Sequence, residues 1–231
     1  MLFGAWTQIS DLAAVGVIAS AGYDYVVMDL QHGSVSEGEI AAMCAVIASC
    51  GATPLVRTRG RTFADVGRPA DLGAQGLIVP NVSGHDEAST ILEYCTYPPA
   101  GQRSVGRLLG DVADPLKIVM VESAQAADEL PRTLTLPGID AVYVGPGDLS
   151  LSLGCVADFA DPVLAGVLDS VLSACRAAGI PAGIHATTPE QAQVPQQWGC
   201  QLLTVFSDLS ALAVGATRSI QMSGGNARKG V

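Results

Sequence analysis

The sequence predicts a (β/α)8 TIM barrel, one domain over residues 1–231, and three observations carry that prediction. Short apolar runs of strand length alternate with segments of helical spacing along the chain. The strand-like runs are continuous, as in parallel strands buried on both faces. Several end on a charged residue, and C-terminal strand ends are where such barrels keep their chemistry. No GxGxxG follows the first strand, so the doubly wound sheet ranks second.

In chain order, Leu2–Trp6 is the first strand, and Asp11–Ala21 carries helical spacing up to Gly22. Strand Tyr25–Leu30 runs into MDLQHG, followed by a helix over Ser36–Ser49 and strand Pro54–Arg57. Phe63–Asp71 reads as helix, Leu77–Val79 as strand and Asp86–Cys95 as helix. Beyond the loop TYPPAGQRSVG come strand Lys117–Val121, helix Ala124–Arg132 and strand Ala141–Val144, then a Gly-Pro-Gly turn and a helix-like segment from Leu149. Helix Pro162–Ala178, strand Pro181–His185, helix Pro189–Trp198, strand Gln201–Phe206 and a helix from Leu209 complete eight strands. One connection breaks the rhythm: RLLGDVADPL, between Gly106 and Lys117, is too short for a helix and two loops, so this crossover is either abbreviated or incompletely represented in the sequence.

A net charge of −10 with only 12 Lys and Arg argues against nucleic acid or an anionic membrane as partner. The six cysteines are scattered without CxxC or zinc-ligand spacing and read as thiols of a reducing compartment. No apolar run reaches membrane-spanning length, and MLFGAWTQIS lacks the pattern of a signal peptide; a cytoplasmic protein is expected.

Strand ends collect a consistent set of groups. Glu122 directly follows one strand and Asp148 follows the next after Gly-Pro-Gly. Two such carboxylates suit Mg²⁺ or Mn²⁺, which take one or two protein carboxylates and leave positions for substrate and water. Taken singly, each acid reads as a helix cap or an ion-pair partner. Gly147 allows an anion to approach backbone amides. Asp29 lies three residues before His32, a spacing that lets a carboxylate orient an imidazole as a general base. Arg57 offers a permanent cation for a developing oxyanion, or else pairs with Asp29 to hold strands together. Trp6 follows strand one, and His185 ends strand seven and should reach the mouth. His85, in the polar NVSGHDE, reads as a surface residue, and Lys117 sits at a strand start, the wrong end for a Schiff base.

The segments GAWTQIS, GYDYVVMDLQHGSVS, PLVRT, GAQGLIVPNV, YPPAGQRSVG, VMVES and GIDAVYVGPGDLSLSLG occur in this order and span nearly the whole chain. Together they resemble the HpcH/HpaI family of class II pyruvate aldolases. The resemblance implies a barrel, a divalent metal (Mg²⁺, Mn²⁺ or Co²⁺) and reversible cleavage of a 4-hydroxy-2-oxo acid to pyruvate and an aldehyde. It also implies a homo-oligomer, a hexamer built as a trimer of dimers that exchange the last helix. By the same resemblance the dyad falls on Asp29 and His32, the enolate-binding arginine on Arg57 and the metal acids on Glu122 and Asp148. The amides of Gly147 and Asp148 then hold the pyruvate carboxylate, and Trp6 stands at the pocket entrance. Gln31 replaces a frequent Glu, and Met120 replaces a Gln on the inward face of Glu122; both bear on substrate and metal preference.

Two rival readings are an acyl-CoA lyase of the citrate lyase β-subunit type, which needs a basic groove that so few Lys and Arg do not supply, and a non-catalytic carboxylate-binding barrel. Aldehyde selectivity is expected from Trp6, His185 and the loop bearing Arg103 and Arg107, with Arg103 alternatively tying down its own Pro-Pro-Ala-Gly turn.

Overall fold

The computed structural model describes residues 1–105, 114–186 and 188–224. Eight parallel strands close into a barrel in sequence order: β1 (Leu2–Thr7), β2 (Tyr25–Asp29), β3 (Thr53–Arg57), β4 (Gly76–Val79), β5 (Leu116–Val121), β6 (Ala141–Val144), β7 (Ala182–His185) and β8 (Leu202–Ser207). Helices α1 (Leu12–Ala19), α2 (Glu37–Ser49), α3 (Phe63–Asp71), α4 (His85–Cys95) and α5 (Ala124–Thr133) cross between successive strands. The β6–β7 crossover carries two, α6 (Pro146–Leu153) and α7 (Pro162–Ala178), before α8 (Pro189–Gln197) and α9 (Asp208–Met222). Side-chain oxygens start many of them. Asp11, Thr62, Ser123, Asp161 and Thr188 each accept a backbone N–H of the first turn, as helix N-termini require.

Period-two alternation sorts each strand into two faces. Val26, Met28, Val56, Leu77, Val79, Val119, Val121, Val142 and Val144 point outward and pack in the large core beneath the helices. Trp6, Tyr25, Val27, Leu55, Ile78, Ile118, Met120, Ala141 and Tyr143 form a separate inner core. Glycines make room for its rings. A Cβ on Gly4 would lie 2.0 Å from the Tyr25 ring, and one on Gly183 would lie 2.8 Å from the Tyr143 ring. The Tyr143 hydroxyl donates to the Ile184 carbonyl and meets the Thr204 hydroxyl, so this polar tip is satisfied.

Residues 106–113, with Arg107 and most of the RLLGDVADPL connection that follows α4, lie outside the described residues. The helix after β6 starts at Pro146 with Gly145 as its cap, which puts Asp148 inside the first turn instead of at the cap. Arg103 does not reach the barrel mouth. It is 2% exposed, stacks 4.5 Å from the centre of the Tyr97 ring, and pairs with Asp71 at 3.1 Å and Asp114 at 3.7 Å. This is the tying role: a buried guanidinium must find its partners locally, and here they come from α3 and its own loop.

Removing one partner of such a buried pair leaves the other uncompensated. Arg103→Ala should therefore lower stability by about 3–5 kcal/mol, read as a fall in the urea midpoint at unchanged slope.

Candidate active site

The inner rows of side chains continue past the core and end at the C-terminal mouth as Trp6 on β1, Asp29 on β2, Arg57 on β3, Glu122 just after β5 and His185 on β7. Parity brings them together: Asp29, Arg57 and Glu122 lie two residues beyond Val27, Leu55 and Met120 of the inner core, and Trp6 and His185 lie two residues beyond Gly4 and Gly183, which face its rings. Trp6, Arg57, Met120, Glu122, Gly147, Asp148 and His185 line a pocket of about 170 Å³, which Gln8 also borders.

Asp29 is the hub. Its carboxylate, 0% exposed, receives Arg57 through Nε at 2.9 Å and Nη2 at 2.6 Å, a bidentate charge-assisted pair. It also accepts from Trp6 Nε1 at 3.2 Å, Gln8 Nε2 at 3.3 Å and the backbone N–H groups of Gln31 and His32 at 3.0 and 3.2 Å. Burial pushes this carboxyl up, but the Arg57 guanidinium and the remaining donors outweigh it and hold Asp29 below its ordinary value. The Arg57 guanidinium also lies 5.0 Å from the centre of the Trp6 ring, a cation–π contact.

The carboxylate-to-imidazole dyad takes a different form. Asp29 meets His32 through the backbone amide, because the chain turns immediately after β2 and aims successive N–H groups back at the carboxylate. The exposed His32 ring has no hydrogen bond among the described residues, though its charge bears on Glu122. Gly33 permits this turn: a Cβ there would lie 2.3 Å from the Asp29 carbonyl and 3.0 Å from Gln8. Gln31 is likewise tied through its backbone, and its side chain is not part of the pocket lining.

Glu122 is 4% exposed, and its Oε2 accepts the Asn81 N–H at 2.7 Å. Burial raises its pKa, repulsion from Asp148 adds to that, and the Asn81 amide, Arg57 and His32 oppose it. A Cβ on Gly145 would lie 2.7 Å from its Oε1, so only glycine fits beside this carboxylate. Asp148 lies in the first turn of α6, where the helix dipole favours an anion, and the Gly147 position opens onto free space. Two hard oxygen donors at one pocket, one of them destabilised by burial and by the other's charge, fit a divalent cation. Among the described residues no group of three or more His, Cys, Asp or Glu could hold a metal, so any such ion takes these two carboxylates and completes its shell with substrate or water.

His185 closes the far side. Its ring sits edge-on to Trp6 at 4.7 Å, Nδ1 is buried without a hydrogen-bond partner among the described residues, and burial and then Arg57 push its pKa down to about 4, so it is neutral at pH 7. It also borders a second cavity of about 480 Å³ with Asp158, Phe159 and Gln191.

With this geometry in place, comparison with known proteins is informative. The family model for HpcH/HpaI aldolase/citrate lyase matches residues 2–213. The chain belongs to the HpcH/HpaI aldolase/citrate lyase family. As a family member it is a carbon–carbon lyase. It is 30% identical over 234 residues to a hydroxypyruvate/pyruvate aldolase of Roseovarius nubinhibens, covering 95% of this chain and 91% of that protein. A 2-keto-3-deoxy-L-rhamnonate aldolase of Escherichia coli is also 30% identical, over 89% of this chain and 82% of its own length. An HpcH/HpaI family structure from Burkholderia cenocepacia J2315 superposes with TM-score 0.89 at 30% identity, over 97% of this chain and 95% of that one.

Gln8 and Asn81 escaped the sequence reading. Gln8 lies within the quoted GAWTQIS, two residues past Trp6 on the same parity, and that parity was the available signal.

The Asp29–Arg57 pair sets an acid-side limit on stability. The folded pKa of Asp29 lies below the unfolded one, so between the two values the unfolded chain binds more protons. The contribution is complete above about pH 4 and is lost as pH falls through the lower, folded value. Urea midpoints measured across this range should fall on acidification in the wild type and fall less steeply in Asp29→Asn.

Proposed function

We propose that the protein is a metal-dependent class II aldolase that reversibly cleaves a 4-hydroxy-2-oxo acid to pyruvate and an aldehyde. The observation that carries this reading is the pocket itself. One permanent cation, two carboxylates and the amide-bearing start of a helix converge on about 170 Å³, a space suited to a short 2-oxo acid. The aldolase names of relatives matching most of the chain support the same reading.

Glu122 and Asp148 would hold Mg²⁺, Mn²⁺ or Co²⁺, which when bound supplies Lewis-acid polarisation of the 2-oxo group. The backbone N–H groups at Gly147 and Asp148 bind the substrate carboxylate at the positive end of α6. Arg57, fixed by Asp29, donates to the oxygen that becomes negative as the C3–C4 bond breaks, and Trp6 supports it from one side. His32 accepts the proton of the C4 hydroxyl, and Asp29 contributes by holding the backbone of the turn that presents it. In condensation these groups act in reverse. Gln31 enters this scheme through its place in that turn. The aldehyde half extends past His185 towards the 480 Å³ cavity, the space left once Arg103 is assigned to the scaffold.

We place the protein in the cytoplasm as a homo-oligomer. All six cysteines are free, and among the described residues no helix is long and apolar enough to cross a membrane. Helix α9 exposes Leu209, Leu212, Val214, Ile220 and Met222, an apolar surface that a second copy of this chain would cover.

Pyruvate release from a panel of 4-hydroxy-2-oxo acids tests the proposal. Chelation should abolish it, and Mg²⁺, Mn²⁺ or Co²⁺ should restore it; turnover that survives exhaustive chelation would refute the metal assignment. Glu122→Gln and Asp148→Asn should weaken Mn²⁺ binding in titration calorimetry. His32→Ala should keep that binding while losing about a hundredfold or more in kcat. Full cleavage by His32→Ala would transfer the base role to another group.

A further inference from the structure

Helix α9 is buried at a single residue, its first, Asp208, which is 6% exposed; beyond it every residue to Met222 is exposed except the half-buried Ser210. Asp208 does not cap its own helix in the ordinary way. Its carboxylate turns to the end of neighbouring strand β1 and the loop after it, roughly two hundred positions earlier in the chain. Oδ2 accepts the Thr7 hydroxyl at 2.7 Å and the N–H groups of Gln8 and Ile9, both at 2.9 Å. Oδ1 accepts from Gln8 N–H at 3.1 Å and Leu209 N–H at 2.7 Å. A buried carboxylate needs this many donors to remain ionised, so the loop is held to the helix start in one geometry.

The held segment lies next to the reacting centre. Trp6 precedes Thr7, and its Nε1 donates to Asp29; Gln8 borders the 170 Å³ pocket and donates to the same carboxylate oxygen. The Gln8 carbonyl is further tied to the Ser34 N–H at 2.8 Å, linking this loop to the turn that bears His32.

We propose that Asp208 is a positioning residue that transmits the seating of α9, through Thr7 and Gln8, to the Asp29–Arg57 pair. It touches neither substrate nor metal ligand. It acts by fixing Gln8 and Trp6, whose donors share Asp29 with Arg57 and so set where the guanidinium points. The catalytic part of this inference rests on the aldolase reading; the structural tie does not.

The chain has two tryptophans, so a Trp198→Phe background leaves Trp6 as the sole emitter and lets its fluorescence report the site with or without turnover. In that background Asp208→Asn, which keeps shape and removes charge, should shift Trp6 emission. It should lower kcat about tenfold or more and leave Mn²⁺ affinity at Glu122 and Asp148 unchanged. Gln8→Ala should produce a similar loss, and the double variant should lose no more than the worse single, because both act on one link. Additive losses, or wild-type emission in Asp208→Asn, would overturn the proposal. If Asp208→Asn does not fold, Thr7→Val, which removes only the hydroxyl donor, is read in the same way: a shifted emission supports the link and an unchanged one refutes it. Should the wild type turn over no 4-hydroxy-2-oxo acid, the aldolase reading fails while the emission shift still decides the role of Asp208.

Discussion

The buried pair between Asp29 and Arg57 is the constraint on which the mouth of this barrel depends. It closes neighbouring strands β2 and β3 at their C-terminal ends and takes a guanidinium out of water beside an aromatic ring. A cation in that position is useful only if its charge is not fully spent, and desolvated pairs return little net stability. The compensation here is geometric: Asp29 collects donors from Trp6, Gln8 and two backbone amides, so the carboxylate is over-determined and the arginine inherits its rigidity. Preorganised charge of this kind needs no rearrangement when a substrate develops negative charge.

The two sides of the mouth are tuned in opposite directions. Around Asp29, donors outweigh burial and the ionised form is favoured; around Glu122, burial and a second carboxylate outweigh one amide and a more distant arginine, and the ionised form is disfavoured. The first arrangement is self-sufficient. In the proposed function the second is the half that a divalent cation completes, beside a fixed anion-recognition half. His185, neutral and edge-on to Trp6, adds shape and hydrogen-bonding capacity to the wall without adding charge.

The barrel was largely legible in the sequence, because continuous apolar runs such as Tyr25–Leu30 and punctuation such as Gly145-Pro146-Gly147 are local signals. Strand ends then led to Asp29, Arg57, Glu122 and Asp148. What local spacing misjudged was direction. Asp29 and His32 are three apart in a helix-like count, yet the turn after β2 presents an amide, not a ring, to the carboxylate. For Arg103 the sequence left an aldehyde contact and a structural tie both open, and the fold decides for the tie by supplying Asp71 and Tyr97 as partners. Asp208 carried no signal at all, since its partners lie at the opposite end of the chain and no periodicity spans that distance.

The inner rows of the strands have a consequence for how such a protein can change. Site and core occupy the same parity, so each strand works as a reading frame in space: a one-residue insertion within β5 would turn Val121 into the mouth and Glu122 out beneath the helices, and would invert Ile118 and Met120 as well. Evolution or design is therefore barred from adjusting the reach of these groups by lengthening a strand. New substrates must be accommodated by exchanging side chains within the frame, as at Met120 and His185, or by reshaping the loops above it.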